Sequence, residues 1–350
     1  MDSLTQAALG AGVSLALLGR RVGPRRAAVI GAVLGSLPDL DVLVPFANPV
    51  DDMVRHRSVS HSLLVHAAVS PLLGELLRQL VRELRDSRRL AWFTVFACLA
   101  THALLDAMTV YGTQLLWPLT SHPFGLGSVF IIDPLYTLPL LVVTAWALLA
   151  RGWSPGLAGA TTAALVLSSA YLGWSAIGQR LALTRAEAAL AAWGVTAEHI
   201  LATPTPFNTL FWRVIAIDGP RYHNIYVPLL GRGASLHSHD RGPVCDLAQL
   251  PEARRLAAFS KGFFRVERLG EAFAMADLRM GITPNYVFRF IVARQGGDGP
   301  APVPPARLTG PRTVAGDLAW LVAGIGGAAR PRPAEGPAVL VASATPPPTC

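Results

Sequence analysis

Four short polar clusters interrupt otherwise apolar sequence: Pro38-Asp39-Leu40-Asp41, His56-Arg57-Ser58-Val59-Ser60-His61-Ser62, Thr101-His102-Ala103-Leu104-Leu105-Asp106 and Asp133-Pro134. They put three histidines and four aspartates within or beside segments apolar enough to enter a bilayer. An ionisable side chain at the centre of a membrane helix costs about 2.5–3.5 kcal/mol on insertion scales, and such groups usually line a functional site. Imidazole and carboxylate are ligands of hard-to-borderline divalent cations. The pattern therefore points to a membrane-embedded metal centre, with zinc the first choice and manganese or magnesium the harder alternatives.

Each cluster also has a plainer reading. His102 and Asp106 are four apart, so on a helix they share one face and can reach one cation, or they can form a hydrogen-bonded pair between helices. His56 and His61 bracket serines that can cap a helix. Asp39 and Asp41, two apart beside Pro38, point the same way on extended backbone and otherwise serve a turn. Taken together, Asp39, Asp41, His56, His61, His102 and Asp106 read as the candidate metal ligands, with Asp39 also a candidate general base. Arg57, between the two histidines, is a candidate donor to a phosphate or oxyanion, or a partner for Asp51 or Asp52. Asp133 reads as a helix cap, and His66 and His122 as structural. His237-Ser238-His239-Asp240, in a glycine-rich stretch without further ligands, reads as a loop.

The elements that would position these residues follow from hydropathy. Of 350 residues, 52% are hydrophobic and 15% charged, with mean hydropathy +0.42. A soluble domain carries roughly 25% charged residues. The net charge of +8 comes almost wholly from arginine, Lys261 being the sole lysine, and no basic-aromatic motif suggests nucleic acid. Cys98, Cys245 and Cys350 form no CxxC pair. Six apolar helices are expected near residues 4–18, 27–46, 61–81, 90–110, 128–150 and 156–177, of which the fourth and sixth are long enough to span. Pro38 should break the second where Asp39 and Asp41 stand. Arg20, Arg21, Arg25 and Arg26, then Arg82, Arg85, Arg88 and Arg89, then Arg151 fill the first, third and fifth connections, while 111–127 holds no charged residue. The positive-inside bias puts those arginine turns in the cytoplasm and the His/Asp clusters at the opposite, extracytoplasmic end.

A helix over 178–195 leads out of this region, and alternating runs at Leu210–Ile217, Tyr222–Leu230, Phe263–Leu269 and Tyr286–Ala293 predict a small β-rich soluble domain. The expected organisation is a mainly α, polytopic helical membrane bundle over 1–177, a β-rich (α+β) soluble domain over 178–295, and a largely disordered Pro/Ala/Gly-rich tail over 296–350, with a docked piece near Trp320.

At Met1-Asp2-Ser3-Leu4-Thr5-Gln6, Leu37-Pro38-Asp39-Leu40-Asp41, the His56–Ser62 signature, Thr101-His102 with Leu105-Asp106, Tyr111–Pro118 and Ile132–Tyr136, the chain resembles the YdjM-type family of bacterial membrane-bound metal-dependent hydrolases. Thr203–Thr209 is similar to its long-form members with an appended soluble domain. The resemblance implies a helical metal-binding core distantly similar to zinc-dependent phospholipase C and P1-type nucleases. It carries the ligand role onto Asp39, Asp41, His56, His61, His102 and Asp106. Some relatives have histidine where Gln6 and Val42 stand, which bears on how many metals this chain holds. The expected activity is cleavage of a phosphodiester or other ester in a lipid or envelope-derived substrate at the bacterial inner membrane, with membrane lipids as surroundings. The rival expectations are a non-catalytic membrane scaffold or stress-response envelope protein with a structural His/Asp site, whose soluble domain binds a protein partner, and a transporter.

Overall fold

The computed structural model describes residues 1–310 and 314–336. Of the tail expected over 296–350, residues 311–313 and 337–350 lie outside the described residues. The first half carries α1 (Ser3–Val22), α2 (Pro24–Ser36), α3 (Pro49–Arg55), α4 (Leu63–Leu80), α5 (Arg88–Ala107), α6 (Pro134–Leu149) and α7 (Pro155–Ala192). The chain divides into two compact units, one of Met1–Val44 with His56–Ala176 and one of Pro45–Arg55 with Ile177 onward. Residues 45–55, read in the sequence as membrane domain, thus belong to the second unit, and α7 runs unbroken from one unit into the other.

The first unit is helical, and its helix ends follow local chemistry. Asp2 caps α1 by accepting from Thr5 N at 3.1 Å, and Ser62 caps α4. Pro24 opens α2, where a missing N–H costs nothing, and Pro38 stops it. Residues Pro38–Leu43 then form a 3₁₀ turn rather than more α-helix, the break expected at that proline. Asp133 caps α6 as expected, accepting from Leu135 N at 3.1 Å, and its other oxygen takes the Tyr171 hydroxyl at 2.8 Å.

α1 and α2 approach closely through glycines. A Cβ added at Gly10 would lie 2.1 Å from the Gly31 carbonyl oxygen, and one at Gly35 would lie 2.6 Å from that of Gln6. Small residues allow such backbone contact where apolar surroundings give helices no hydrophobic drive to associate. Leu15, Leu18, Val95, Cys98, Leu140 and Val143 fill the core around them.

The arginine-rich turns meet at one end of this unit. Arg21 donates to Ser87 and Arg26 pairs with Glu83 at 2.7 Å. Arg25 donates to the Ala150 and Leu149 carbonyls at 3.0 and 3.2 Å. Two described helices, Arg88–Ala107 and Pro155–Ala192, are long and apolar enough to cross a membrane, and Pro134–Leu149 is a shorter apolar helix. They are the fourth and sixth of the expected segments, with the fifth the shorter one.

The second unit is β-rich. One antiparallel sheet has the order β1 (His199–Pro204), β2 (Phe211–Asp218), β3 (Arg221–Pro228), β4 (Ser235–Asp240). After α8 (Pro251–Phe259) come β5 (Phe264–Leu269), β6 (Ala272–Asp277), a two-stranded ribbon of β7 (Gly281–Ile282) with β8 (Asn285–Tyr286), β9 (Arg289–Gly296) and β10 (Gly299–Arg307). The second sheet has the order β10-β9-β6-β5. β2 is buried on both faces because its alternate residues meet different layers. Trp212, Val214 and Ala216 pack on Ala182, Ala186 and Leu190 of α7, while Ile215 and Ile217 pack with Phe263, Ala276 and Leu278. α3 joins this unit through Asp51, which pairs with Arg255 of α8.

Several expectations change here. The helix expected over 178–195 is the continuation of α7, since no glycine or proline interrupts 179–192. His237–Asp240, read as a loop, lies in β4, paired to β3 with His237 opposite Asn224. Within the stretch read as tail, Gly299–Arg307 form β10 and Asp317–Ile325 form α9. β10 is a sheet edge, the place where a strand tolerates proline. Trp320 is the docked piece, packed on Phe211 and Tyr226 with ring centroids 5.0 and 5.1 Å away. Arg332 fastens α9 by a forked pair to Asp317. Burial raises the Asp317 carboxyl and that fork outweighs it, holding the group below its ordinary value.

Candidate metal centre

Four of the six candidate ligands converge. Asp39 comes from the 3₁₀ turn after α2, His61 from the turn entering α4, and His102 with Asp106 from one face of the last turns of α5. His61 Nε2 lies 3.0 Å from His102 Nε2, 3.6 Å from Asp39 Oδ1 and 3.2 Å from Asp106 Oδ2. His102 Nε2 lies 3.5 Å from each of the same two oxygens. Bonds of about 2.0–2.1 Å from a tetrahedral zinc ion place its ligand atoms about 3.3 Å apart. The observed spacings bracket that value.

Neighbouring groups fix which nitrogens bear protons. His102 Nδ1 is 2.6 Å from the Gly35 carbonyl, which can only accept, so Nδ1 donates, and in the neutral ring Nε2 presents a lone pair. The Ser60 hydroxyl gives its hydrogen to Asp41 Oδ2 at 2.6 Å and lies 2.9 Å from His61 Nδ1. His61 Nδ1 therefore donates to Ser60, and its Nε2 is likewise a lone pair. Two nitrogen and two carboxylate lone pairs then face one point. A proton bridges two of these atoms, whereas a divalent cation reaches all four. Asp106 Oδ2 accepts no hydrogen bond from the described residues, although Arg57 Nε approaches it at 3.1 Å. The donor set fits a metal ion.

Asp41 and His56 stand outside this group of four. Asp41 Oδ1 meets His56 Nδ1 at 2.8 Å, and Oδ2 takes both Ser60 Oγ and the Arg57 backbone N–H, the latter at 3.1 Å. The backbone explains the separation. Residues two apart in a 3₁₀ turn of three residues per turn point in different directions, whereas on extended backbone they would point together. Asp41 holds the 56–61 segment against the 3₁₀ turn.

Arg57 pairs with neither Asp51 nor Asp52. It is buried, with NH1 3.1 Å from Thr109 Oγ1, its guanidinium 4.9 Å from the Tyr111 ring centre, and its Nε facing Asp106. Its φ of 63° is left-handed, a conformation that non-glycine residues adopt mostly where surrounding contacts impose it. The Gln114 N–H to the Arg57 carbonyl, at 2.9 Å, is one such contact.

Other participants carried little signal in the sequence. Gln6 Nε2 donates to Asp106 Oδ1 at 3.0 Å, and the Met1 nitrogen reaches the same oxygen. Thr109 and the Gly35 carbonyl act through position alone. His66 Nε2 lies 2.8 Å from the Ser60 carbonyl, and Val42 is exposed. Of the four converging residues, Asp39 is the accessible one, 21% exposed in its side chain where the others are at most 1%.

No curated protein and no solved structure matches the chain. Residues 1–182, more than half of the chain and all of its candidate ligands, match the model of the YdjM inner membrane protein family. With its converging His/Asp cluster inside the matched region, this chain belongs to the YdjM inner membrane protein family.

Proposed function

We propose that the chain is a multi-pass inner-membrane metalloprotein whose Asp39, His61, His102 and Asp106 bind a divalent cation at the extracytoplasmic end of the helical unit, and that it hydrolyses a phosphodiester or other ester in a lipid or envelope-derived substrate. The observation that carries this reading is the meeting of two imidazole nitrogens and two carboxylate oxygens at 3.0–3.6 Å. Nitrogen and oxygen donors in that ratio suit zinc better than magnesium, which favours oxygen throughout. When bound, such an ion lowers the pKa of coordinated water and polarises a scissile oxygen. Asp39, the accessible member, is the residue that faces arriving substrate and can take a proton. Asp41, Ser60 and the Gly35 carbonyl orient the two imidazoles, and Arg57 balances the charge of Asp106.

A second reading has its own support. Four protein donors are the complement of a closed structural zinc site, whereas catalytic sites usually keep three and leave a position for water. On that reading the cluster fastens a membrane scaffold and performs no reaction.

The deciding measurements are metal content and turnover in detergent-purified protein. Wild type is expected to carry metal that the His102→Ala, Asp106→Ala double variant lacks. Equal, negligible metal in both would overturn the metal-centre proposal. Chelator-sensitive cleavage of lipid phosphodiesters supports the hydrolase; metal without turnover across ester and phosphodiester panels supports the scaffold.

A further inference from the structure

The second unit gathers another set of metal-competent side chains. His237 and His239 alternate along β4 and so share a face of the sheet, their rings 6.3 Å apart and 25° from parallel. Glu335 reaches them from the turn Pro333–Glu335, 96 residues further along the chain than His239. Its Oε2 lies 2.9 Å from His239 Nε2 and accepts from Asn224 Nδ2 at 3.1 Å, while Oε1 accepts from the Tyr226 hydroxyl. Arg332 positions this turn by donating to the Ile282 and Thr283 carbonyls at 2.8 and 2.6 Å.

Hydrogen bonding satisfies this cluster incompletely. His237 is 1% exposed, and its Nε2 has no hydrogen-bond partner among the described residues. A buried ring nitrogen left without a partner is unfavourable, and here it stands beside a second imidazole and a buried carboxylate. One ligand atom from each of His237, His239 and Glu335 lies within 4.8 Å of the other two. Zinc-ligand atoms sit about 3.3 Å apart, so side-chain rotation has to draw these three together. Arg213, hydrogen-bonded to Asn224 Oδ1 at 2.9 Å, is a competing cation and lowers the affinity of any ion there.

We propose that His237, His239 and Glu335 form a second metal site, for one late first-row divalent ion of the zinc class, which clips the Pro333–Glu335 turn onto β4. The donor set is two imidazoles and one carboxylate, with a fourth position left to water. This site shares no residue with the Asp39/His61/His102/Asp106 centre and stands or falls independently of it.

The test uses the full chain in detergent, stripped by chelator and titrated with Zn²⁺ and Co²⁺. E335Q and H237Q are each expected to remove one bound equivalent, or to weaken it at least tenfold, while leaving the equivalent that His102→Ala removes. Hydrogen exchange on the wild-type chain is the second arm and needs no variant. Zn²⁺ is expected to protect peptides covering 235–240 and 330–336 together. Unchanged stoichiometry and affinity in correctly folded E335Q and H237Q, or no zinc-dependent protection of those two peptides in wild type, would overturn the proposal. In that case the cluster is a metal-free hydrogen-bonded core.

Discussion

His61 and His102 do their work through what holds them. Each ring gives its Nδ1 proton to a neighbour, the Ser60 hydroxyl or the Gly35 carbonyl, and this leaves both Nε2 atoms turned to the same point. Arg57 has the matching task for Asp106, pairing at 3.1 Å with side-chain exposures of 7% and 0%. Deleting one partner of a buried pair leaves an uncompensated charge, at a cost of roughly 3–5 kcal/mol. Arg57→Leu is therefore expected to destabilise the chain by about that amount, read as a lower melting temperature in detergent. An unchanged melting temperature would show that Arg57 is free for another role. At this scale the sequence was legible where spacing maps onto geometry: His102 and Asp106, four apart on α5, do share a face. It misled where the backbone was not the one assumed. Asp41 turns away from Asp39 because the segment is a 3₁₀ turn, and Arg57 finds Asp106, 49 positions on, rather than its neighbours Asp51 and Asp52.

Among elements, apolar runs were readable because a helix buries its face whatever the partner, and a helix lies in each of the six expected segments, although α2 stops at Ser36 rather than near 46 and α7 runs on to Ala192 rather than ending near 177. β1, β4, β6 and β10 were missed for a related reason. Their sequences are short, or rich in histidine, alanine or proline, and their strand character comes from pairing with the neighbouring strands β2, β3, β5 and β9 rather than from their own alternation. The close pairing of α1 and α2 had no signal in hydropathy, since it depends on which glycines face each other. Gly31→Ala places a methyl group 2.1 Å from the Gly10 carbonyl oxygen and 2.5 Å from Ser14 Cβ, and backbone cannot rotate aside as a side chain can. Overpacking of this kind costs about 1–3 kcal/mol or more. The variant is expected to melt earlier and to lose metal together with helix packing, because Gly35 on the same helix orients His102. Full metal occupancy in Gly31→Ala at wild-type stability would sink that coupling.

For the molecule as a whole, α7 carries the argument about topology. Its 38 residues extend about 57 Å at 1.5 Å each, well beyond a hydrocarbon core of about 30 Å. The portion in the helical unit, Pro155–Ala176, is 22 residues, close to the roughly 20 that a span needs. The arginine turns after α1, α4 and α6 meet at one end of that unit, consistent with a common cytoplasmic side. A reporter fused after Ala192 is accordingly expected to read extracytoplasmic, and a clear cytoplasmic signal would reverse the proposed orientation. The fusion point follows from the structure, since the boundary read in the sequence at Ile177 falls in the middle of a helix.

The meeting of those arginine turns means that the helical unit is fastened differently at its two ends. At one end Arg25 and Arg26 reach carbonyls and Glu83 in the open, where mobile ions weaken each attraction. At the other, donors from three separate segments of chain converge with little solvent between them, where dissolved salt has scant purchase but loss of the ion proposed there would set three segments loose at once. Under the proposed metal centre, ionic strength and chelation are expected to act as independent handles on opposite ends of the helical unit.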